Sequence, residues 1–123
     1  MGFNNLLQKE MENMAYDEGL AQRLRDIFQD QKEVEEKKMF GGLCFMVSKH
    51  MCCGIVGEKL MARIGAEKYE KCLLKKHVQK MDFTGRSMKG MIYIKPDGIA
   101  EDEDLNFWVN ICMEFIKSLP SKT

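Results

Sequence analysis

The sequence predicts an α+β domain: an antiparallel sheet of about five strands with three helices, in the order α-β-β-β-β-α-β-α. Three observations predict it. Apolar residues recur at helical spacing in three separate stretches, and between the first two of these, short apolar runs alternate with turn-forming residues about every eight positions. The links between those runs are also too short for the crossover of a dozen or more residues that a parallel pair needs.

The first helix is read over residues 16–30, where Leu20, Leu24, Ile27 and Phe28 form a stripe opposite Asp17, Glu18, Gln22, Arg23, Arg25 and Asp26. Four strands follow. Val34–Phe40 stops at Gly41-Gly42, Leu43–Val47 at Ser48-Lys49-His50, Met51–Val56 at Gly57-Glu58-Lys59, and Leu60–Ile64 at Gly65. A short second helix is read over Ala66–Lys76 from Tyr69, Cys72 and Leu73. Met81–Lys89 reads as a polar, glycine-containing loop leading into a fifth strand, Gly90–Lys95, which Pro96-Asp97-Gly98 ends. The closing helix has Glu101 to Asp104 where a helix N-terminus favours negative charge, a stripe of Leu105, Trp108, Val109, Cys112, Phe115, Ile116 and Leu119, and Pro120 beyond its end. Trp108 is expected as a core anchor. Residues 1–13, with Leu6, Leu7 and Met11 loosely spaced, read as an extension, and the domain is placed over 14–120.

With 123 residues, 45% of them hydrophobic, the chain has material for one buried core and is too apolar for disorder. Its longest apolar runs fall far short of the roughly 20 residues a membrane helix needs, and no leader pattern opens it. A soluble, non-exported, cytoplasmic protein without membrane contact is expected. Five cysteines, an odd number without a CxxC pair, predict free thiols in a reducing compartment rather than a disulfide framework or a zinc ribbon. Eleven methionines serve either a core or an adaptable binding surface, with the core favoured.

A net charge of zero conceals a segregation. Residues 1–33 carry −3, residues 34–95 carry +7 and residues 96–123 carry −4. The basic middle can face an acidic protein or phosphates, or be neutralised in part by the acidic terminal helices.

Little in the chain points to catalysis. His50 and His77 both fall at expected turns or helix ends, and no nucleophile elbow, phosphate loop, dinucleotide fingerprint or His-Glu-x-x-His is present. The compact soft-ligand cluster is His50, Cys52 and Cys53, but strand alternation sends adjacent cysteines to opposite faces, so at most one can join His50 in a metal site. Cys44 on the next strand is the remaining candidate ligand. No helix-turn-helix is legible, and aromatic interleaving on the basic strands is thin.

The strings KKMFGG (Lys37–Gly42), MCCGIVGEKLMARIG (Met51–Gly65) and MDFTGRSMKG (Met81–Gly90) occur in that order, with Met14-Ala15-Tyr16-Asp17 opening the domain and Trp108 in its closing helix. Together they closely resemble the TfoX/Sxy N-terminal domain family, named for regulators of competence genes, over about residues 14–120. Ser87 stands where that family's pattern has proline, which frees a backbone N–H just before Met88. The resemblance implies an α+β, stand-alone N-terminal module without the second, helical domain of full-length competence regulators. It also implies no enzyme activity and no metal or other cofactor.

The glycines of those strings read as architecture; the polar residues do not. Lys37, Lys38, Arg63, Thr84, Arg86, Met88 and Lys89 are the candidate contact surface, with Phe83 expected to be buried and Arg86 and Lys89 expected near Lys37, Lys38 or Arg63. The expected function is a non-catalytic regulatory or protein-interaction module. Its partner would be an unidentified protein, with the transcription machinery as one candidate, and a homodimer stays open. The alternative is a nucleic-acid-binding domain acting through the same cations.

Overall fold

The computed structural model describes residues 16–83 and 86–121, with the side chains of Phe83, Arg86 and Ser87 outside that description. The residues read above as an N-terminal extension, 1–13, also lie outside it.

Asp17 caps the first helix, α1 (Glu18–Phe28), by accepting from the Gly19 and Leu20 N–H groups at 2.8 and 3.3 Å. Leu20, Ala21, Leu24 and Phe28 are its buried face, and the Phe28 ring stacks on Phe45 with centroids 5.5 Å apart. A meander follows: β1 (Val34–Met39), β2 (Gly42–Val47), β3 (His50–Val56) and β4 (Lys59–Arg63), each antiparallel to the next. Two-residue turns make this possible. Phe40 and Gly41 both have positive φ, as do Ser48 and Lys49, which matches the turn twist to the strands.

The second helix, α2 (Ala66–Leu73), is shorter than its apolar period suggested, ending before an exposed run that leads to His77 at φ 68°. The stretch read as a loop is then a hairpin. β5 (Val78–Phe83) pairs with β6 (Arg86–Ile94), Asp82 opposite Ser87 and Phe83 opposite Arg86. This sixth strand lies on the sheet edge, where one side needs no apolar residues; Gln79, Lys80 and Asp82 therefore hid it. β6 also pairs with β4, giving the order β1-β2-β3-β4-β6-β5, all antiparallel. A 3₁₀ turn (Pro96–Gly98) leads to α3 (Asp102–Lys117), whose first turn is acidic and whose last carries Lys117.

The predicted α+β class is the one observed. Residues of all three helices pack in one cluster with Leu43, Phe45, Val47, Ile55, Leu60, Ala62, Ile92 and Ile94 from the sheet, and Trp108 sits in it at 4% exposure. The opposite face holds a second cluster, with Cys44, Met61, Met81 and Met91 buried and Phe40, Met51, Val56, Met88 and Tyr93 packed around them. No helical residue belongs to it among the described residues.

Candidate functional site

The cysteines occupy places that strand alternation alone misassigns. Phe45 is opposite Cys53 while Met46 is opposite Met51, so Cys52 is the extra residue of a β-bulge. As a result Cys52 and Cys53 both join the helix-side cluster, which corrects the expectation that they point to opposite faces. Cys112 of α3 meets them there. Hydrogen bonds from Cys112 and Cys53, with the Arg63 charge nearby, pull the Cys52 thiol down to about 5, whereas Cys53 and Cys112 are pushed up by that same bonding to Cys52 and by burial. Cys52 in turn lies 3.8 Å from the Met113 sulfur.

All five thiols are free and buried, with Cys44 on the other face raised to about 11 by burial. No set of three or more His, Cys, Asp or Glu is placed to hold a metal ion among the described residues. His50 is buried too; its Nε2–H donates to the Pro120 carbonyl at 2.9 Å, leaving Nδ1 as an acceptor without a partner. The ring thus anchors the segment after α3 to the start of β3.

The candidate cations separate into two groups. Lys37 and Lys38 are exposed on β1, opposite Cys44 and Leu43 and so on opposite faces of the sheet edge. Arg63 on β4 is opposite Met91, donates from Nη1 to the Met51 carbonyl at 3.3 Å, and holds its guanidinium 5.2 Å from the Phe115 ring centre. Lys89 is exposed on β6, the strand next to Arg63, and Met88 beside it packs against the methionine cluster. Thr84 lies outside the described residues, as do the burial of Phe83 and the direction of the Arg86 side chain; the Arg86 backbone closes the β5–β6 hairpin. Strand order therefore brings Arg63, Met88 and Lys89 into one region and leaves Lys37 and Lys38 four strands from β6, about 19 Å at ~4.8 Å per strand.

Between the two groups lies a feature the sequence reading missed. Register places Met39 and Met46 on the face of Cys44, so Met39, Met46, Met51, Met61, Met81, Met88 and Met91 all share the face without helices. Met61 and Met81 are fully buried in its centre; Met39 is 37% exposed, and Met46, Met51, Met88 and Tyr93 are half-buried around it. Lys59 lies over the Tyr93 ring at 5.4 Å, and burial, with the Asp82 charge adding to it, raises the Tyr93 hydroxyl above its ordinary value. The signal was present as a parity: once the hairpin registers are known, these methionines fall on one pleat.

Six antiparallel strands with helices on one face and a half-open methionine face on the other define an α+β domain. The chain belongs to the TfoX N-terminal domain family, whose model matches residues 26–116. Neither a curated protein nor a solved structure matches it.

Proposed function

We propose that this domain is a non-catalytic protein-interaction module of a regulatory system, and that it receives its partner on the methionine face. The observation that carries the reading is the concentration of half-open methionines, with Tyr93, on the sheet face opposite the helices. Unbranched, polarizable side chains repack against varied apolar anchors, which suits a surface that must adapt to its partner. Lys37, Lys59 and Lys89 at its margins favour a partner with acidic residues beside those anchors. Free thiols at all five cysteines support action in a reducing compartment.

Nucleic-acid binding is the second reading, resting on the same cations. It fits less well because methionines rather than stacking aromatics lie between the two cationic groups. Capture from cell extract with the wild-type chain, with Met46→Asp/Met88→Asp and with Lys37→Ala/Lys89→Ala separates the two, alongside DNA binding at two salt concentrations. The expected result is loss of captured protein with the methionine pair and a smaller loss with the lysine pair. DNA affinity falling about one log unit per log unit of salt for each phosphate contact, and unaffected by the methionine pair, overturns the reading.

A further inference from the structure

Three thiols meet on the helix side of the sheet. The bulge sets Cys52 beside Cys53 on β3, and Cys112 joins them from α3. Cys52 is the shared partner. It is hydrogen-bonded to Cys112 and to Cys53 with the Arg63 charge nearby, so it takes the anionic form most readily of the three. Adjacent residues of an extended strand are poorly placed for a bridge, since their Cα atoms are about 3.8 Å apart and a disulfide wants roughly 4.4–6.8 Å. Cys52 and Cys112 stand on different elements and are already in contact.

A small molecule has a way in. A cavity of about 760 Å³ lies between the β2–β3 turn and the end of α3, lined by Val47, His50, Met113 and Ile116 and reaching the surface at exposed Lys49 and Lys117. Cys52 has no accessible surface, but the sulfur of half-buried Met113 is 3.8 Å from its Sγ. One flexible thioether thus stands between the cavity and the thiol.

We propose that Cys52 and Cys112 form a peroxide-sensitive dithiol, with Cys52 as the attacking sulfur and Cys112 as the resolving one. The Cys52 thiolate attacks one oxygen of hydrogen peroxide. The O–O bond breaks, and the departing hydroxide takes up the proton that Cys52 had released, leaving a sulfenic acid and one water. The Cys112 sulfur then attacks the Cys52 sulfur; the S–O bond breaks, and the hydroxyl leaves with the Cys112 proton as a second water. Two thiols are oxidised by two electrons to a disulfide while the peroxide is reduced to two waters. The first step prepares the second, because the foremost cause that keeps Cys112 protonated is its bonding to Cys52, and oxidation of Cys52 removes that anion. The bridge ties β3 to α3 across the core, and small thiols reverse it by exchange. It lies on the other side of the sheet from the methionine face and is independent of the docking reading.

The test exposes the full chain to a few equivalents of hydrogen peroxide, blocks the remaining thiols with N-ethylmaleimide in denaturant, and sequences the peptides by mass spectrometry. The expected product is one bridge, Cys52 to Cys112, with Cys44, Cys53 and Cys72 alkylated. It forms at least about tenfold faster than any oxidation of Cys44 or Cys72 and is reversed by dithiothreitol. In Cys112→Ala the reaction stops at Cys52, where dimedone traps the sulfenic acid. Trp108 fluorescence reports whether that variant keeps its core, and the wild-type peptide map decides the question without it. Five alkylated cysteines after peroxide, with methionine sulfoxide as the product, overturn the proposal. So do bridges that pair Cys44 or Cys72 as often as Cys112, or a bridging rate that rises in step with unfolding in urea, since both mark oxidation of the opened chain.

Discussion

Arg25 holds Glu36 with two parallel hydrogen bonds, Nε to Oε2 and Nη2 to Oε1, each 2.8 Å long. This fork joins α1 to the edge strand β1 and is the bidentate geometry that guanidinium and carboxylate favour. The hydrogen bonds from Arg25 hold the Glu36 carboxyl below its ordinary range, and Glu36 holds the Arg25 guanidinium above its own. Both side chains are about a third exposed, so water screens the pair and its contribution stays within about 1 kcal/mol.

The pH dependence follows from the sign of the Glu36 shift. A carboxyl depressed in the folded state contributes stability above its unfolded value of about 4.3, and that stability is lost as pH falls through the folded value. Glu36→Gln is expected to lower stability by up to about 1 kcal/mol at pH 7, with the difference from wild type shrinking below about pH 4. Urea melts at several pH values check it, and a difference that stays constant down to pH 3 overturns it.

Two glycines are expected to fail differently on substitution. A Cβ at Gly42 would sit 1.8 Å from the Ile55 carbonyl oxygen, so backbone meets backbone. At Gly65, with φ +88°, it would meet the Phe115 ring at 2.5 Å, and a ring can move. Both alanine variants should lose at least about 1–3 kcal/mol. Phe115→Ala should recover part of the Gly65→Ala loss, measured as a double-mutant cycle by thermal melting, whereas Ile55→Ala should recover nothing at Gly42. Equal rescue at both sites would defeat the distinction.

The centre and rim of the methionine face are expected to differ in stability. Met61, fully buried, should cost roughly 2–5 kcal/mol on truncation to alanine. Met39, 37% exposed, should change stability by about 0.5 kcal/mol or less. Equal losses in chemical denaturation would show that the rim is packed as tightly as the centre.

Thiol chemistry offers a fourth check. Four of the cysteines have no accessible surface and Cys72 is 4% exposed, so Ellman's reagent should react slowly with the native chain, Cys72 leading, and with all five at once in denaturant. Rapid labelling of Cys52 in the native state would show that the bulge opens.

The helices were legible because Leu20, Leu24 and Phe28, and Leu105, Trp108, Cys112 and Ile116, repeat at the helical period and are buried by it. The meander was legible because turn formers punctuate it. What escaped the sequence was whatever depends on which strands are neighbours. β5 disguised itself with polar residues on an edge, and the bulge at Cys52 exists only relative to the register of Phe45 and Met46. Lys37 and Lys38 stand apart from Arg63 and Lys89 for the same reason: linear order says nothing of the strand order that sets β1 four strands away from β6 and β4 beside it. The methionine face required both registers and strand order before its parity could be seen.

The unpaired rim of β1 bears on what the sheet refuses as well as on what it accepts. An edge strand invites a second copy to extend the sheet, and β1 is six residues long with Glu35, Glu36, Lys37 and Lys38 exposed along it. Antiparallel hydrogen bonding matches residues of the same pleat, so a two-fold pairing of β1 with itself centres on one residue facing its own copy. Centring on any of these four residues opposes one like pair, Glu against Glu or Lys against Lys, and only centring on Glu36 or Lys37 offsets it with two opposite pairs beside it, Glu35 with Lys37 or Glu36 with Lys38. The neutralising alignment, Glu36 against Lys37 and Glu35 against Lys38, would put residues of opposite pleat across from each other and forfeit the ladder. Slipping the centre to Val34 or Met39 leaves most of the strand overhanging. The order of two acids followed by two bases thus makes the symmetric registers of the edge unequal in charge, with opposite pairs beside the like pair only when the centre is Glu36 or Lys37, though the net charge of the strand is zero.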